Sequence, residues 1–214
     1  MKTGIIWDLD GTLLDTLGDL TDATNYALAQ FGCPPRSEAH IRSIVGNGAL
    51  RQMTLALPGN PDDPDPRKVL EVYKPYYQTH CHIKTGPYPG ILEALAILGE
   101  KYPMAVITNK PHATAAALCA QHFPGLFAMG ETPGCPRKPA PDMIHRAMEA
   151  LGVDRCICIG DSEVDLLTAE NAGAPCLTVL WGFRDREDLE KAGARWFCDK
   201  AEDLPDAIEE ILRG

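Results

Sequence analysis

The stretch of sequence that decides the fold lies near the start of the chain, where residues 5–12 read Ile-Ile-Trp-Asp-Leu-Asp-Gly-Thr. A short apolar run that ends abruptly in polar residues is typical of a buried strand. Asp8 and Asp10 follow the run, and Gly11 lets the backbone turn sharply behind them. Two carboxylates so close repel each other unless one is protonated or a cation lies beside them. Asp and Gly are also common in ordinary turns, so the stretch acquires chemical meaning only from the rest of the chain.

The strand pattern recurs later in the sequence, with helical patterns between the strands. Apolar runs end at Thr108 and just before Asp161, and two further strands are predicted over 174–180 and 196–198. Helices are predicted over residues 90–100, 111–122, 141–151, 163–173 and 203–212. Buried strands that alternate with amphipathic helices predict an α/β fold with a doubly wound, Rossmann-like parallel sheet. Because ligands bind beyond the carboxyl ends of such strands, we expect Asp8, Thr108 and Asp161 to meet at one edge of the sheet.

Residues 16–84 break this alternation, because only helical patterns occur there. Four helices are predicted, and the first begins near Leu17 and ends at Gly32. We interpret the segment as an all-helical cap inserted into an α/β core formed by residues 1–15 and 85–214. The two chain crossings between core and cap are expected to serve as hinges.

The composition of the 214-residue chain excludes several classes of function. The net charge is −10 and no basic stripe appears, so we expect no binding to nucleic acid. No apolar run approaches the roughly 20 residues that span a bilayer, and the first residues do not resemble a secretory leader. We therefore expect a cytoplasmic protein that does not bind membranes. The eight cysteines show no paired Cys-x-x-Cys spacing and are expected to be small buried residues.

Four motifs of polar residues occur in order along the chain. They are Asp-Leu-Asp-Gly-Thr at 8–12, Val-Ile-Thr-Asn-Lys at 106–110, Lys-Pro-Ala-Pro-Asp at 138–142 and Gly-Asp-Ser-Glu-Val-Asp at 160–165. Each motif alone is a weak signal, but the ordered set is highly specific. It resembles the motifs of the haloacid dehalogenase superfamily of aspartate-nucleophile phosphatases, and the resemblance covers essentially the whole chain. The resemblance implies the corresponding α/β core and a phosphatase activity.

The resemblance also implies roles for individual residues. Asp8 corresponds to the nucleophile, and Asp10 to the acid that protonates the leaving alkoxide and then activates water. Thr108 and the neighbouring Asn109 correspond to groups that hold the phosphoryl group, and Lys138 to the cation that neutralises nucleophile and phosphate. The residues expected to bind phosphate are Gly11, Thr108, Asn109 and Lys138. A carboxylate nucleophile forms an acyl phosphate and so divides a difficult hydrolysis into two easier steps.

A Mg²⁺ site is implied by the same resemblance. Its ligands are expected to be the Asp8 carboxylate, the Asp10 backbone carbonyl and Asp161. Asp165 is expected to be either a further ligand or a residue that contacts the ligands. Mg²⁺ suits such oxygen donors and helps to cancel charge when an anion attacks a phosphate. We expect the Asp10 side chain to point away from the metal, because it must carry a proton. Lys110 receives no role.

Three further segments resemble phosphoglycolate phosphatases and their near relatives. They are the cap loop at 45–50, the cap exit at 73–80 with residues 88–90, and the tail that reads Trp-Gly-Phe-Arg at 181–184. The resemblance implies a small phosphorylated metabolite as substrate. The cap residues expected to contact it are Gly46, Asn47, Gly48 and Arg51. Arg51 would meet a substrate carboxylate, although an exposed arginine on a short helix explains its presence equally well.

Other activities are compatible with the same core motifs. A sugar phosphomutase would use Asp8 but pass the phosphoryl group to a second substrate, and a pyrophosphatase or nucleotide phosphatase would differ only in the group that leaves. A non-catalytic binding module is disfavoured, because the acidic, hydroxyl and ammonium groups of all four motifs are intact. The sequence does not predict the oligomeric state.

Overall fold

The computed structural model describes residues 1–213, which form two compact units. The first unit joins Met1–Asp15 to the chain from Pro87 onward, and the second is Thr16–Gly86. The strands are β1 (Thr3–Trp7), β2 (Leu14–Asp15), β3 (Gly86–Pro87), β4 (Met104–Pro111), β5 (Phe127–Glu131), β6 (Arg155–Gly160), β7 (Cys176–Val179) and β8 (Trp196–Cys198). The helices are α1 (Leu17–Ala29), α2 (Glu38–Ile44), α3 (Ala49–Ala56), α4 (Pro66–His80), α5 (Ile91–Gly99), α6 (His112–His122), α7 (Asp142–Leu151), α8 (Glu163–Asn171), α9 (Arg186–Lys191) and α10 (Leu204–Arg213).

Six strands of the first unit form one sheet in the order β5-β4-β1-β6-β7-β8. Each neighbouring pair is parallel, which confirms the predicted α/β fold. β1 lies inside the sheet and is apolar on both faces, since Ile5, Ile6 and Trp7 are all buried. The chain places β4 on one side of β1 and β6 on the other. Such a reversal of strand order opens a crevice at the carboxyl ends of the strands, where ligands bind in open α/β sheets.

Helices flank this sheet and bury an apolar core. α6 and α7 pack beside β4 and β5, and α8 packs beside β6 and β7. One core cluster combines Ile107 and Ile144 with the thiols of Cys156, Cys158 and Cys176. Seven of the eight cysteines are buried and all are free thiols, which agrees with their expected role as small buried residues.

The second unit contains α1–α4. α1 ends shortly before Gly32, which turns the chain with φ of 68°, and α2 begins after Ser37, whose side chain accepts a hydrogen bond from the His40 backbone N–H. Asp19 is buried near the start of α1 and accepts hydrogen bonds of 3.0–3.1 Å from the backbone N–H groups of residues 83–85. This carboxylate therefore ties the beginning of the unit to its end. That the unit acts as a cap remains a prediction.

The strands β2, β3 and β5 and the helix α9 were not predicted. β5 is an edge strand in which Phe127 and Glu131 are exposed, so its sequence lacks the apolar run that marks the inner strands. β4 continues through Pro111, and Thr108 therefore lies inside this strand rather than after it. Within residues 1–213, the structure contains no helix whose length and apolar character would allow it to cross a membrane.

Candidate active site

Asp8 lies directly after β1, at the crevice between the two neighbouring strands. Trp7 is paired with Val106 of β4 on one side and with Ile159 of β6 on the other. The Asp8 backbone N–H donates a hydrogen bond of 2.8 Å to the Ile159 carbonyl. The carboxyl ends of β4 and β6, which carry Thr108 and lead to Asp161, therefore lie on either side of Asp8.

Lys138 occupies the centre of this crevice, although it lies on the loop between β5 and α7. Its Nζ is 2.7 Å from Asp8 Oδ1 and 2.6 Å from Asp165 Oδ1, and its side chain is only 3% exposed. Burial alone lowers the pKa of this ammonium, but the nearby Asp165 and Asp8 carboxylates more than reverse the effect and raise it. Lys138 is therefore a permanent cation held between two carboxylates.

Asp165 is held at both oxygens. Oδ1 accepts the hydrogen bond from Lys138, and Oδ2 accepts bonds from the Ser162 backbone N–H at 3.2 Å and the Ser162 hydroxyl at 2.6 Å. The bond from the Ser162 backbone N–H, together with a bond from the Asp165 backbone N–H to the Ser162 side chain, forms a capping box at the start of α8. The motif at residues 160–165 therefore both begins α8 and places a carboxylate beside Lys138.

Asp161 is buried and fixed from two directions. The Thr12 hydroxyl donates to its Oδ1 at 3.2 Å, and the Phe183 backbone N–H donates to its Oδ2 at 2.6 Å. Burial, with a smaller contribution from the neighbouring Asp165, raises the pKa of Asp161 to about 7. The Phe183 hydrogen bond and the Arg184 charge act in the opposite direction.

The donor set fits a divalent metal ion. One carboxylate oxygen from each of Asp8, Asp161 and Asp165 lies within 4.8 Å of the others. These three groups carry three negative charges when ionised and Lys138 returns one positive charge, so two negative charges remain. Burial, together with Asp165, raises the pKa of Asp8 well above its usual range, because closely spaced buried carboxylates disfavour the ionised form. Hard oxygen donors and a residual charge of two match an ion such as Mg²⁺.

The Asp10 carboxylate does not belong to this cluster. Its Oδ1 accepts a hydrogen bond of 2.7 Å from Nζ of Lys110, whose side chain is 2% exposed. Only the backbone carbonyl of Asp10 thus remains for the metal role predicted for this residue. A role for Lys110 was not predicted. A charged residue next to a buried apolar run is unusual, and it is the feature of the sequence that indicates one.

The residues predicted to bind phosphate are arranged around Lys138 and Asp161. Thr108 is buried and its hydroxyl accepts a hydrogen bond of 3.2 Å from the Lys110 backbone N–H. The Asn109 side-chain amide donates to the Lys138 carbonyl at 3.0 Å and so positions the lysine segment. Gly11 adopts φ of 84°, and a Cβ at this position would overlap the Asp161 carboxylate.

The residues predicted for the cap loop lie in the second unit. Gly46 and Gly48 both adopt positive φ, 116° and 81°, between α2 and the first turn of α3. Arg51 is exposed on α3, and Asn47 lies between the two glycines. Their contacts with substrate remain predictions.

Known proteins are similar to this chain in both sequence and fold. The sequence model of the family described as haloacid dehalogenase-like hydrolase matches residues 5–179. A phosphoglycolate phosphatase from Mesorhizobium japonicum is 33% identical over 197 residues, which cover 87% of this chain and 86% of that protein. An N-acetylmuramic acid 6-phosphate phosphatase from Pseudomonas aeruginosa is 31% identical over 97% of this chain and 93% of its own. A solved structure from Lactobacillus delbrueckii subsp. bulgaricus, provisionally described as a phosphoglycolate phosphatase, has a TM-score of 0.89 and 41% identity, and covers 97% of this chain and 99% of its own.

Proposed function

We propose a reaction for this chain, which belongs to the haloacid dehalogenase-like hydrolase family and is a phosphatase. The reaction is the Mg²⁺-dependent hydrolysis of a small phosphate monoester, similar to phosphoglycolate, through an aspartyl phosphate on Asp8. The observation that carries the proposal is the buried group in which Lys138 contacts Asp8 and Asp165, 130 and 27 residues away in the sequence. A buried ammonium beside a strand-end carboxylate supports attack on a dianionic phosphate, because it offsets the repulsion between two anions.

Asp8 is the nucleophile in this proposal. Its carboxylate attacks phosphorus and the bond from phosphorus to the ester oxygen breaks, which leaves an acyl phosphate on Asp8. Lys138, with Nζ 2.7 Å from Asp8 Oδ1, stays beside the nucleophile throughout and offsets its charge. Asp165 keeps Lys138 in place, because its other oxygen is fixed at the start of α8.

Asp10 moves the protons. It gives a proton to the leaving alkoxide in the first step, and it takes one from the water that attacks the acyl phosphate in the second. The second step breaks the bond between Asp8 and phosphorus and releases inorganic phosphate. Nζ of Lys110 lies 2.7 Å from Asp10 Oδ1 and fixes the position of this carboxylate, which is not part of the acidic cluster.

The phosphoryl group is held by groups that surround Asp8. Thr108 is assigned to this task because it lies on β4, which is paired with β1. Asn109 positions the Lys138 segment through its hydrogen bond to the Lys138 carbonyl. Gly11 lets the loop after β1 lie close to Asp161, because a Cβ at this position would overlap the carboxylate. Positioning of this kind supplies most of the catalysis in phosphoryl transfer.

Mg²⁺ would be held by carboxylate oxygens of Asp8 and Asp161 and by the Asp10 backbone carbonyl. When bound, it supplies positive charge to the phosphoryl oxygens during transfer. Asp165 is assigned to Lys138, whose Nζ lies 2.6 Å from Asp165 Oδ1, and one of its carboxylate oxygens also lies near enough to those of Asp8 and Asp161 to serve as a further metal ligand.

The substrate is proposed to be a small phosphorylated acid. The proteins named phosphoglycolate phosphatase and N-acetylmuramic acid 6-phosphate phosphatase support this, because both names describe phosphate esters of acids. We assign the second unit as the cap and Gly46, Asn47, Gly48 and Arg51 as its substrate contacts. The exposed guanidinium of Arg51 and the positive φ angles of Gly46 and Gly48 support an anionic ligand, because such turns can direct backbone N–H groups toward an anion.

Phosphate release from a panel of phosphorylated metabolites, with and without Mg²⁺, tests the proposal. The panel contains phosphoglycolate, N-acetylmuramic acid 6-phosphate, a nucleoside monophosphate, pyrophosphate and a hexose phosphate. We expect Mg²⁺-dependent release that is greatest for the phosphorylated acids and absent in Asp8→Asn. Release by Asp8→Asn would refute the nucleophile, and conversion of a hexose phosphate without release would identify a mutase.

A further inference from the structure

The loop after β7 contacts the acidic cluster, although none of its residues has a part in the reaction proposed above. Residues 181–184 read Trp-Gly-Phe-Arg, and we call them the positioning loop. They begin two residues after Val179, the last residue of β7, and therefore lie at the same edge of the sheet as Asp8. Each of the four residues makes a defined contact with the segments that carry the acidic cluster.

Trp181 connects the loop to the segment that follows the nucleophile. Its indole Nε1 donates a hydrogen bond of 2.9 Å to the carbonyl of Thr12. The hydroxyl of the same Thr12 donates to Asp161 Oδ1. The indole therefore fixes a residue that itself holds one oxygen of Asp161.

Gly182 lies against Asp161 more closely than any other residue type allows. A Cβ at this position would overlap both the Asp161 side chain and the Gly11 carbonyl. The backbone of the positioning loop thus packs directly against the Asp161 side chain and restricts its movement.

Phe183 contacts the same carboxylate, and Arg184 connects the loop to the helix that carries Asp165. The Phe183 backbone N–H donates to Asp161 Oδ2 at 2.6 Å. The Arg184 guanidinium pairs with Glu163 at 2.9 Å, and its side chain is only 12% exposed. Glu163 is the first residue of α8, so this ion pair joins the loop to the helix that carries Asp165.

We propose that the positioning loop sets the metal affinity of the site by fixing the orientation of Asp161. The proposal rests on the proposed function, because it takes Asp161 as a metal ligand. The four residues are assigned as positioning residues, because their contacts are with Asp161 itself and with Thr12 and Glu163 beside the cluster. Groups that orient metal ligands typically change metal affinity 10- to 100-fold when they are altered.

Binding of Mn²⁺ to the protein without substrate, followed by electron paramagnetic resonance of the free ion, measures this property directly. Gly182→Ala adds a methyl group where there is no room and is expected to weaken Mn²⁺ binding about 10- to 100-fold. Trp181→Phe keeps an aromatic ring but removes the indole N–H, and is expected to weaken binding about threefold or more. Gly99→Ala is the matched control, since the nearest atom to its Cβ would be Met104 Cε at an ordinary 3.4 Å.

Folding and turnover separate positioning from a general structural effect. Circular dichroism and thermal unfolding establish that the variants are folded, and if Gly182→Ala does not fold, Trp181→Phe decides the question. Saturating Mg²⁺ is expected to restore the kcat of Trp181→Phe, because the lost hydrogen bond is to the Thr12 carbonyl and not to a reacting group. Wild-type Mn²⁺ affinity in the folded variants would overturn the proposal, as would a loss of kcat that no metal concentration restores. Absence of Mn²⁺ binding in the wild type would overturn the proposed metal site itself, and the positioning proposal with it.

Discussion

Replacement of Lys138 by methionine removes one buried charge from the site and leaves its shape almost unchanged. The ammonium contacts Asp8 Oδ1 at 2.7 Å and Asp165 Oδ1 at 2.6 Å, with 3% of the side chain exposed. Methionine is also unbranched and adapts to irregular space in a packed interior, so the loss is mainly electrostatic. Both carboxylates would then be buried without the cation that lies between them.

The structure sets the size of the expected effect. Hydrogen bonds to charged groups are worth about 1.5–3 kcal/mol each, so the two bonds of Lys138 represent roughly 3–6 kcal/mol of interaction. One of the two acts on the nucleophile, and a removed charge-stabilising donor in an active site typically costs about 3–4 kcal/mol in the transition state. Because 1.36 kcal/mol corresponds to a factor of ten in rate, kcat/KM is expected to fall about 10²- to 10³-fold.

Steady-state hydrolysis of p-nitrophenyl phosphate at saturating Mg²⁺ measures this loss, and circular dichroism establishes that the variant is folded. Lys101→Met is the control, because Lys101 makes a similar ion pair with Glu209 at 2.9 Å but its side chain is 56% exposed. Surface pairs contribute little, so the control is expected to keep its activity within about twofold. A folded Lys138→Met variant within about threefold of the wild type would refute the role assigned to the lysine.

Three further predictions concern other parts of the molecule. Lys110→Met is expected to slow hydrolysis of an alkyl phosphate about tenfold or more, because the Asp10 carboxylate loses the ammonium that lies 2.7 Å from it. Hydrolysis of p-nitrophenyl phosphate should slow less, because only the alkoxide needs a proton in order to leave. Equal losses of rate with the two esters would contradict this prediction. Asp19→Asn is expected to lower the free energy of unfolding by about 2–4 kcal/mol, because the carboxylate accepts bonds from three consecutive backbone N–H groups. Urea denaturation checks this against the exposed Asp22→Asn, which should change stability little. Burial and the adjacent acidic group raise the pKa of Asp161 to about 7 in the metal-free protein, so the folded state retains a proton that the unfolded chain loses near pH 4. The metal-free protein should therefore lose stability as the pH rises from about 4 through 7, and Mg²⁺ should raise the melting temperature more at pH 8 than at pH 5; thermal scans with Mg²⁺ or EDTA measure this, and a larger shift at pH 5 would contradict it.

The sheet and the place of the site could be predicted from the sequence because both depend on local pattern. β1, β4 and β6 contain short buried runs, and their ends lie together once the strands are parallel neighbours. Asp8 directly follows such a run, and Thr108 and Asp161 lie where the other two runs give way to polar residues. β5 was missed for the same reason, since an edge strand with exposed residues does not carry the pattern.

The partners of the charged side chains could not be predicted, because they depend on contacts between distant parts of the chain. Lys110 reaches Asp10 across 100 residues, and no local feature of Thr-Asn-Lys indicates the direction of its side chain. The close approach of Gly182 to Asp161 is equally invisible in the sequence. The capping box at Asp165 has a local signal, a serine three residues before an acidic residue at a helix start, but the contact of Asp165 with Lys138 has none.

Formation of an acyl phosphate on Asp8 is the central claim, and chemical trapping tests it most directly. Borohydride reduces an acyl phosphate of aspartate to homoserine, which peptide mass spectrometry locates in the sequence. During turnover of p-nitrophenyl phosphate with Mg²⁺, homoserine is expected at position 8 and in no other peptide. Asp10→Asn should increase its amount, because the second step then lacks its base. Continued hydrolysis with an unmodified Asp8 peptide, or trapping at another carboxylate, would contradict the account.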